Sequence, residues 1–148
     1  MIENRLNNVL VIGRNNCSFD VINFIQTINK NAKVTLIDTV IDHYPLSFVK
    51  LIQGDPSDEN ILLYADIATA EFIVVTSGFE KVEREVDNKT LINLLSIRNL
   101  NKKAHCLAQI ILKENIQKAK SAGADEVIFT NDVLVEMLSS SLRKKQKK

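Results

Sequence analysis

Residues Val9 to Gly13 (VLVIG) are a short apolar run closed by a glycine, and an amphipathic stretch begins only a few residues later. A buried strand, a tight turn and a helix in immediate succession leave few options. The strand must sit inside a sheet, with its helix folded back over one face. The turn between them is unusual. A turn that cradles phosphate at a helix start is written G-x-G-x-x-G, with glycines for the bend, the close backbone approach and the helix–strand packing. The same positions here read Gly13, Asn15 and Ser18. Asn15 tolerates positive φ, so the path of the chain is expected to survive. The grip on phosphate is weakened.

The rest of the chain repeats the alternation. A first helix is expected from about Ser18 to Asn29, with Ser18 as N-cap and Val21, Ile22, Ile25 and Ile28 at helical spacing. Strands are expected at Lys33 to Asp38 and Phe48 to Gln53. Only nine residues, Thr39 to Ser47, join them, fewer than a parallel crossover normally uses, so at most one helical turn is expected there. A helix from Asp58 to Ala65 follows, then a strand at Glu71 to Thr76 and a charged loop from Ser77 to Val86. A long helix covers Asp87 to Leu100, with apolar residues on more than one face. A strand at Ala104 to Ile110, a helix at Glu114 to Ala122 closed by Gly123, and a strand at Glu126 to Phe129 come next. A last helix carries Val133, Leu134, Met137, Leu138 and Leu142. The fold class is therefore α/β: a doubly wound, Rossmann-like parallel sheet with helices on both faces.

Composition narrows the function. The 148 residues suit one domain, and a hydrophobic share of 45% can build a core without disulfides. Five of the 19 basic residues occupy the last six positions; without them 14 basic residues face 18 acidic ones, a formal −4. Such a body is a poor binder of nucleic acid. Residues 1–142 are read as the domain and 143–148 as a disordered basic tail. No apolar run reaches the roughly 18 residues of a membrane helix and no signal peptide is visible, so a cytosolic location is expected. Cys17 and Cys106 are far apart and suggest neither disulfide nor zinc. Cys17 sits at a helix start, where a thiolate is favoured.

Asp38 ends the second strand, where a carboxylate accepts hydrogen bonds from a ribose or caps the next turn. Asp55 either reaches toward an adenine edge or forms an Asx turn before Pro56. Glu80, Glu83, Glu85 and Asp87 make an acidic stretch that matches no calcium loop. His43 and His105 are solitary. No nucleophile–base set, paired carboxylates or P-loop is present, so no catalytic activity is expected. The turn that lost its glycines points away from a dehydrogenase and toward a regulatory role.

The V-x-x-x-G turn, Asp38, GDPSD at 54–58, ADI-x-x-AEFIVV at 65–75, DNKTL at 87–91 and AGADEVI at 122–128 occur in an order that resembles the RCK (TrkA-N) family. The resemblance implies a cytosolic regulatory domain of a potassium channel or uptake system. It also implies pairing into dimers and octameric rings, and a pore domain as partner at the cytoplasmic face of the membrane. It maps nucleotide contacts onto Gly13, Asn15, Ser18, Asp38 and Asp55. The acids that hold calcium in the calcium-gated branch map onto Thr76, Gln109 and Ile111, none of which is acidic, so calcium is not expected there and no metal site is assigned. The cofactor-binding set is Gly13, Asn15, Asp38 and Asp55, a weak or vestigial site for an adenine nucleotide (NAD, ATP or ADP). Other readings are a cofactor domain of an NAD-binding oxidoreductase, a ligand-free oligomerisation scaffold, and a regulatory subunit of a potassium uptake system. The chain is read as either an excised domain of a longer channel or a separate subunit.

Overall fold

Strand residues alternate between two cores. Val9, Val11, Val34 and Leu36 turn to one face, where Ile22 and Ile25 of the first helix cover them. Leu10, Ile12, Ile37, Ile73, Val75, Cys106, Ala108 and Ile110 turn to the other, together with Leu62, Leu94, Ile97 and Ala119 from three further helices. Each fully buried Leu or Ile contributes about 1.5–3 kcal/mol of transfer free energy, so both faces must be covered for the sheet to persist. The chain is described by a computed structural model over residues 7–40, 48–76, 83–129 and 142.

The elements are β1 (Asn8–Ile12), α1 (Asn16–Ile28), β2 (Lys33–Asp38), β3 (Val49–Gln53), α2 (Glu59–Tyr64), β4 (Phe72–Val75), α3 (Glu83–Leu100), β5 (His105–Ile110), α4 (Ile116–Ala122) and β6 (Glu126–Phe129). Single 3-10 turns at Ile67–Thr69 and Lys113–Asn115 precede β4 and α4. The strands lie in the order β3-β2-β1-β4-β5-β6. All five pairings are parallel. The direction in which successive strands are added therefore reverses between β1 and β4, and the doubly wound architecture is the one expected. The crossover between β2 and β3 is short, as the spacing required; its residues 41–47 lie outside the described residues. So do the tail and the helix expected after β6, apart from Leu142.

Two boundaries differ from expectation. The first helix begins at Asn16 with Asn15 as N-cap, so Ser18 is not the cap but the third helical residue. The third helix begins at Glu83 rather than Asp87, so the stretch expected to be loop up to Val86 is helical at its end.

Asp87 explains the second difference. It is fully buried in the first turns of α3. Its Oδ1 accepts from the backbone of Ile111, and its Oδ2 from the backbone of Leu112 and the side chain of Asn115, all at 2.8–2.9 Å. The carboxylate thus ties α3 to the exit of β5. Arg98, at the other end of α3, donates to the carbonyls of Ala104 and Gly123 and to Asp125. Removing one partner of buried donors leaves each unsatisfied, at about 1–3 kcal/mol apiece. Asp87→Ala is therefore expected to lower unfolding free energy by about 3 kcal/mol, and Asp87→Asn by less, in urea titrations followed by circular dichroism.

Candidate functional site at the switch point

Open α/β sheets place ligands at the carboxyl ends of their strands, where the strand order reverses. Gly13, after β1, and Thr76, after β4, flank that point. Gly13 has φ +88°, a conformation that favours glycine, and a Cβ built on it would lie 2.6 Å from the Thr76 carbonyl oxygen. The Thr76 amide donates to the Ile12 carbonyl at 2.8 Å. Its buried hydroxyl lies 2.7 Å from that same oxygen and 2.9 Å from the Gly13 carbonyl. The turn is therefore pressed onto β4.

Asp38 is buried at the end of β2. Its Oδ2 accepts from the Arg14 amide at 2.6 Å. Its Oδ1 accepts from the Thr39 hydroxyl at 3.2 Å and, more weakly, from the Val40 amide at 3.4 Å. The turn-capping reading is realised, and the carboxylate also holds the glycine turn.

The Asn15 backbone is extended, with φ −154°, so the left-handed tolerance of asparagine is not used; Gly13 alone carries the positive φ of this turn. Instead the Asn15 side chain caps α1. Its Oδ1 accepts from the Ser18 amide, while the Ser18 hydroxyl accepts from the Asn15 amide, both at 2.9 Å. This is a reciprocal capping box. The Asn15 amide group also donates across to Gln109 Oε1 of β5 at 3.1 Å. Cys17, one residue on, does not gain thiolate character. Burial and the neighbouring Asp20 raise its pKa. Burial likewise pushes the Cys106 thiol up to about 11.

Asp55 forms the Asx turn. Its Oδ1 accepts from the Ser57 amide at 2.9 Å and the Ser57 hydroxyl at 2.7 Å. These bonds, with the nearby Lys89 charge, hold its carboxyl below the usual range. Gly13, Asp38 and Asp55 come together around a cavity of about 240 Å³, which Thr39, Ser57, Thr76, Lys89, Thr90 and Asn93 also line. Asn15 does not line it. Sequence reasoning missed Lys89 and Asn93 as site residues. Their signal was spacing: Val86, Lys89, Thr90 and Asn93 fall on one helical face.

Within the acidic stretch, Asp87 is engaged by two backbone donors and Asn115, and Glu80 lies outside the described residues. Among the described residues, no group of three or more His, Cys, Asp or Glu side chains is placed to hold a metal. His105 opens β5, stacked on Phe72, with Nε2 3.1 Å from Glu126. It borders a larger cleft of about 1430 Å³ between α1 and the amino ends of β4 and β5. That cleft lies at the wrong edge of the sheet for a switch-point ligand, so the smaller cavity is the candidate site.

The family model of the TrkA-N domain matches residues 9–130, spanning every strand of the sheet. The chain belongs to the TrkA-N family. It is 29% identical over 127 residues to YugO of Bacillus subtilis, named as a potassium channel protein. It is 31% identical over 97 residues to the calcium-gated potassium channel TvoK of Thermoplasma volcanium. These alignments cover 85% and 64% of this chain but only 39% and 28% of the two relatives. In fold, this TrkA-N chain superposes on the TrkA-N domain of the Escherichia coli inner membrane protein ybaL with a TM-score of 0.77 at 15% identity, over 93% of this chain and 97% of that one. The GsuK channel bound to NAD superposes with a TM-score of 0.65 at 18% identity, over 82% of this chain and 21% of that one.

The contact of Gly13 with Thr76 leaves no room for a methyl group. Gly13→Ala combines a strained φ with backbone overlap, and is expected to cost about 3 kcal/mol of stability. Thermal and urea unfolding of the variant check this; a variant as stable as the parent would mean that the turn relaxes.

Proposed function

We propose that this TrkA-N chain is the regulatory domain of a potassium channel, acting at the cytoplasmic face of the membrane and assembling with copies of itself. The observation that carries the reading is the family match over residues 9–130 together with identity to proteins named as potassium channels. The site supports ligand holding rather than catalysis. Asp38, Asp87 and Thr76 are all engaged by backbone groups, and these bonds build the turn and its supports. No helix among the described residues is long and apolar enough to cross a membrane, so on this reading the pore is a separate domain or subunit. A potassium selectivity-filter sequence encoded upstream in the same gene is the expected companion. Its absence would favour the subunit of an uptake system.

A regulatory domain of this kind works by coupling ligand state to assembly. The third helix offers the surface. Leu94 and Ile97 are buried beneath it, while Ile92 and Leu95, at an i, i+3 spacing, stand 52% and 59% exposed. Such apolar exposure fits a contact between copies. In sedimentation velocity the chain is expected to form a dimer or larger species at micromolar concentration, and Leu95→Asp to shift it toward monomer by placing a charge in a desolvated contact. A clean monomer at about 100 μM, far above a micromolar Kd, would refute the assembly reading.

Calcium at the calcium-gated family position is not part of this proposal. Thr76 spends its hydroxyl on Ile12 and Gly13, and Gln109 accepts from Asn15. Isothermal titration is expected to show no micromolar calcium site. A stoichiometric site that survives neutralising Glu83 and Glu85 would overturn this.

A further inference from the structure

The turn after β3 and the helix it opens are gripped from two sides. Asp55 Oδ1 accepts from both the amide and the hydroxyl of Ser57, at 2.9 and 2.7 Å. From the other side, the Ser96 hydroxyl of α3 donates to the Ser57 carbonyl at 3.1 Å, across 39 positions. One turn along, the Asn99 amide group donates to Glu59 Oε1 of α2 at 2.5 Å. Ser96 and Asn99 continue the face of α3 on which Lys89 and Asn93 line the cavity, because all four recur at three- or four-residue spacing. A polar seam thus runs from the cavity wall to the contact between the two helices.

The two helices are not held alike. α3 is pinned near its start by Asp87, near its end by Arg98, and in between by buried Leu94 and Ile97. α2 has six residues, and of these Leu62 is the fully buried one. Ile61 packs so close over Gly54 that a Cβ there would lie 2.6 Å from it, so the turn and α2 move together. A segment with few buried apolar contacts and exposed hydrogen bonds is where a domain yields first. The outer surface of this seam bears apolar groups. Leu63 lies one turn beyond Glu59, and Leu95 one turn before Asn99; they are 56% and 59% exposed and flank the bonded pair.

We propose that the Ser57–Ser96 and Glu59–Asn99 bonds are a relay that sets α2 against α3, so that the state of the Asp55 turn determines the apolar face, Leu63 with Leu95, offered to a second copy. The inference rests on the assembly reading above. A donor that reaches Asp55 Oδ1 from the cavity competes with Ser57 for that oxygen. Ser57, once released from Asp55, turns its carbonyl away from Ser96, and α2 shifts. Ser96 and Asn99 are positioning residues: neither lines the cavity, and both act through the turn.

The test needs no ligand. Asp55→Ala frees Ser57, and Ser96→Ala with Asn99→Ala cuts the relay; the parent is compared with both and with the triple variant. Sedimentation is expected to show dimerisation weakened about tenfold by Asp55→Ala in the parent, and by less than about twofold when the relay is already cut. Ser96→Thr, which keeps the hydroxyl, retains the parent response. Amide spectra give a second reading. Asp55→Ala moves the Leu63 and Leu95 resonances in the parent and leaves them in place in the cut background, whether or not the chain associates. Equal effects of Asp55→Ala in the two backgrounds would overturn the relay, since residues that only add stability contribute additively. So would an association constant and resonances that Asp55→Ala leaves untouched in the parent. A chain that stays monomeric refutes the assembly reading instead, and the spectra then decide the relay alone.

Discussion

A Cβ on Gly13 would meet the Thr76 carbonyl at 2.6 Å, and the whole carboxyl edge of the sheet is placed by that close approach. Because residue 13 has no side chain, β1 can bend sharply while staying hydrogen-bonded to β4 through Thr76. The bend turns the Arg14 amide toward Asp38, and the buried carboxylate fixes it at 2.6 Å. The helix start follows, because Asn15 is then extended and its side chain folds back onto Ser18. One steric fact sets the cavity wall, the turn and the first turn of α1.

The same turn fixes the start of α1 from within the protein. Glycines at residues 15 and 18 would leave amides for a ligand to satisfy. Asparagine and serine satisfy them reciprocally, which stabilises the helix start by about 1 kcal/mol in the absence of any ligand.

The third helix links the cavity to the outer surface. Its first turn is anchored by Asp87 to the exit of β5, and its last by Arg98 to α4 and β5. Between them, Lys89 and Thr90 line the cavity, half-exposed Ile92 stands at its rim, and Leu95 is exposed on the outer surface. On the proposed function, a ligand that shifts α3 against its anchors changes the surface offered to a second copy. Interiors packed at crystal-like density pass such displacements on rather than absorb them.

Apolar periodicity and turn residues were enough to read the element order, the parallel sheet and the switch point, because strand alternation and helical spacing are local properties of the chain. Asp38 and Asp55 were legible for a related reason: one ends a strand and the other opens the turn just after one. The short crossover after Asp38 was legible by counting residues. What the linear order could not hold was partnership. Asn15 meets Gln109 across 94 positions, Asp87 meets Ile111 across 24, and Thr76 meets Gly13 across 63. These contacts decide that α1 starts at Asn16, that α3 starts before Asp87, that Lys89 faces the site, and that Cys17 is partly buried, with its pKa raised, rather than poised as a thiolate. Each depends on which strands become neighbours. That neighbourhood exists only once the two cores have closed on both faces of the sheet.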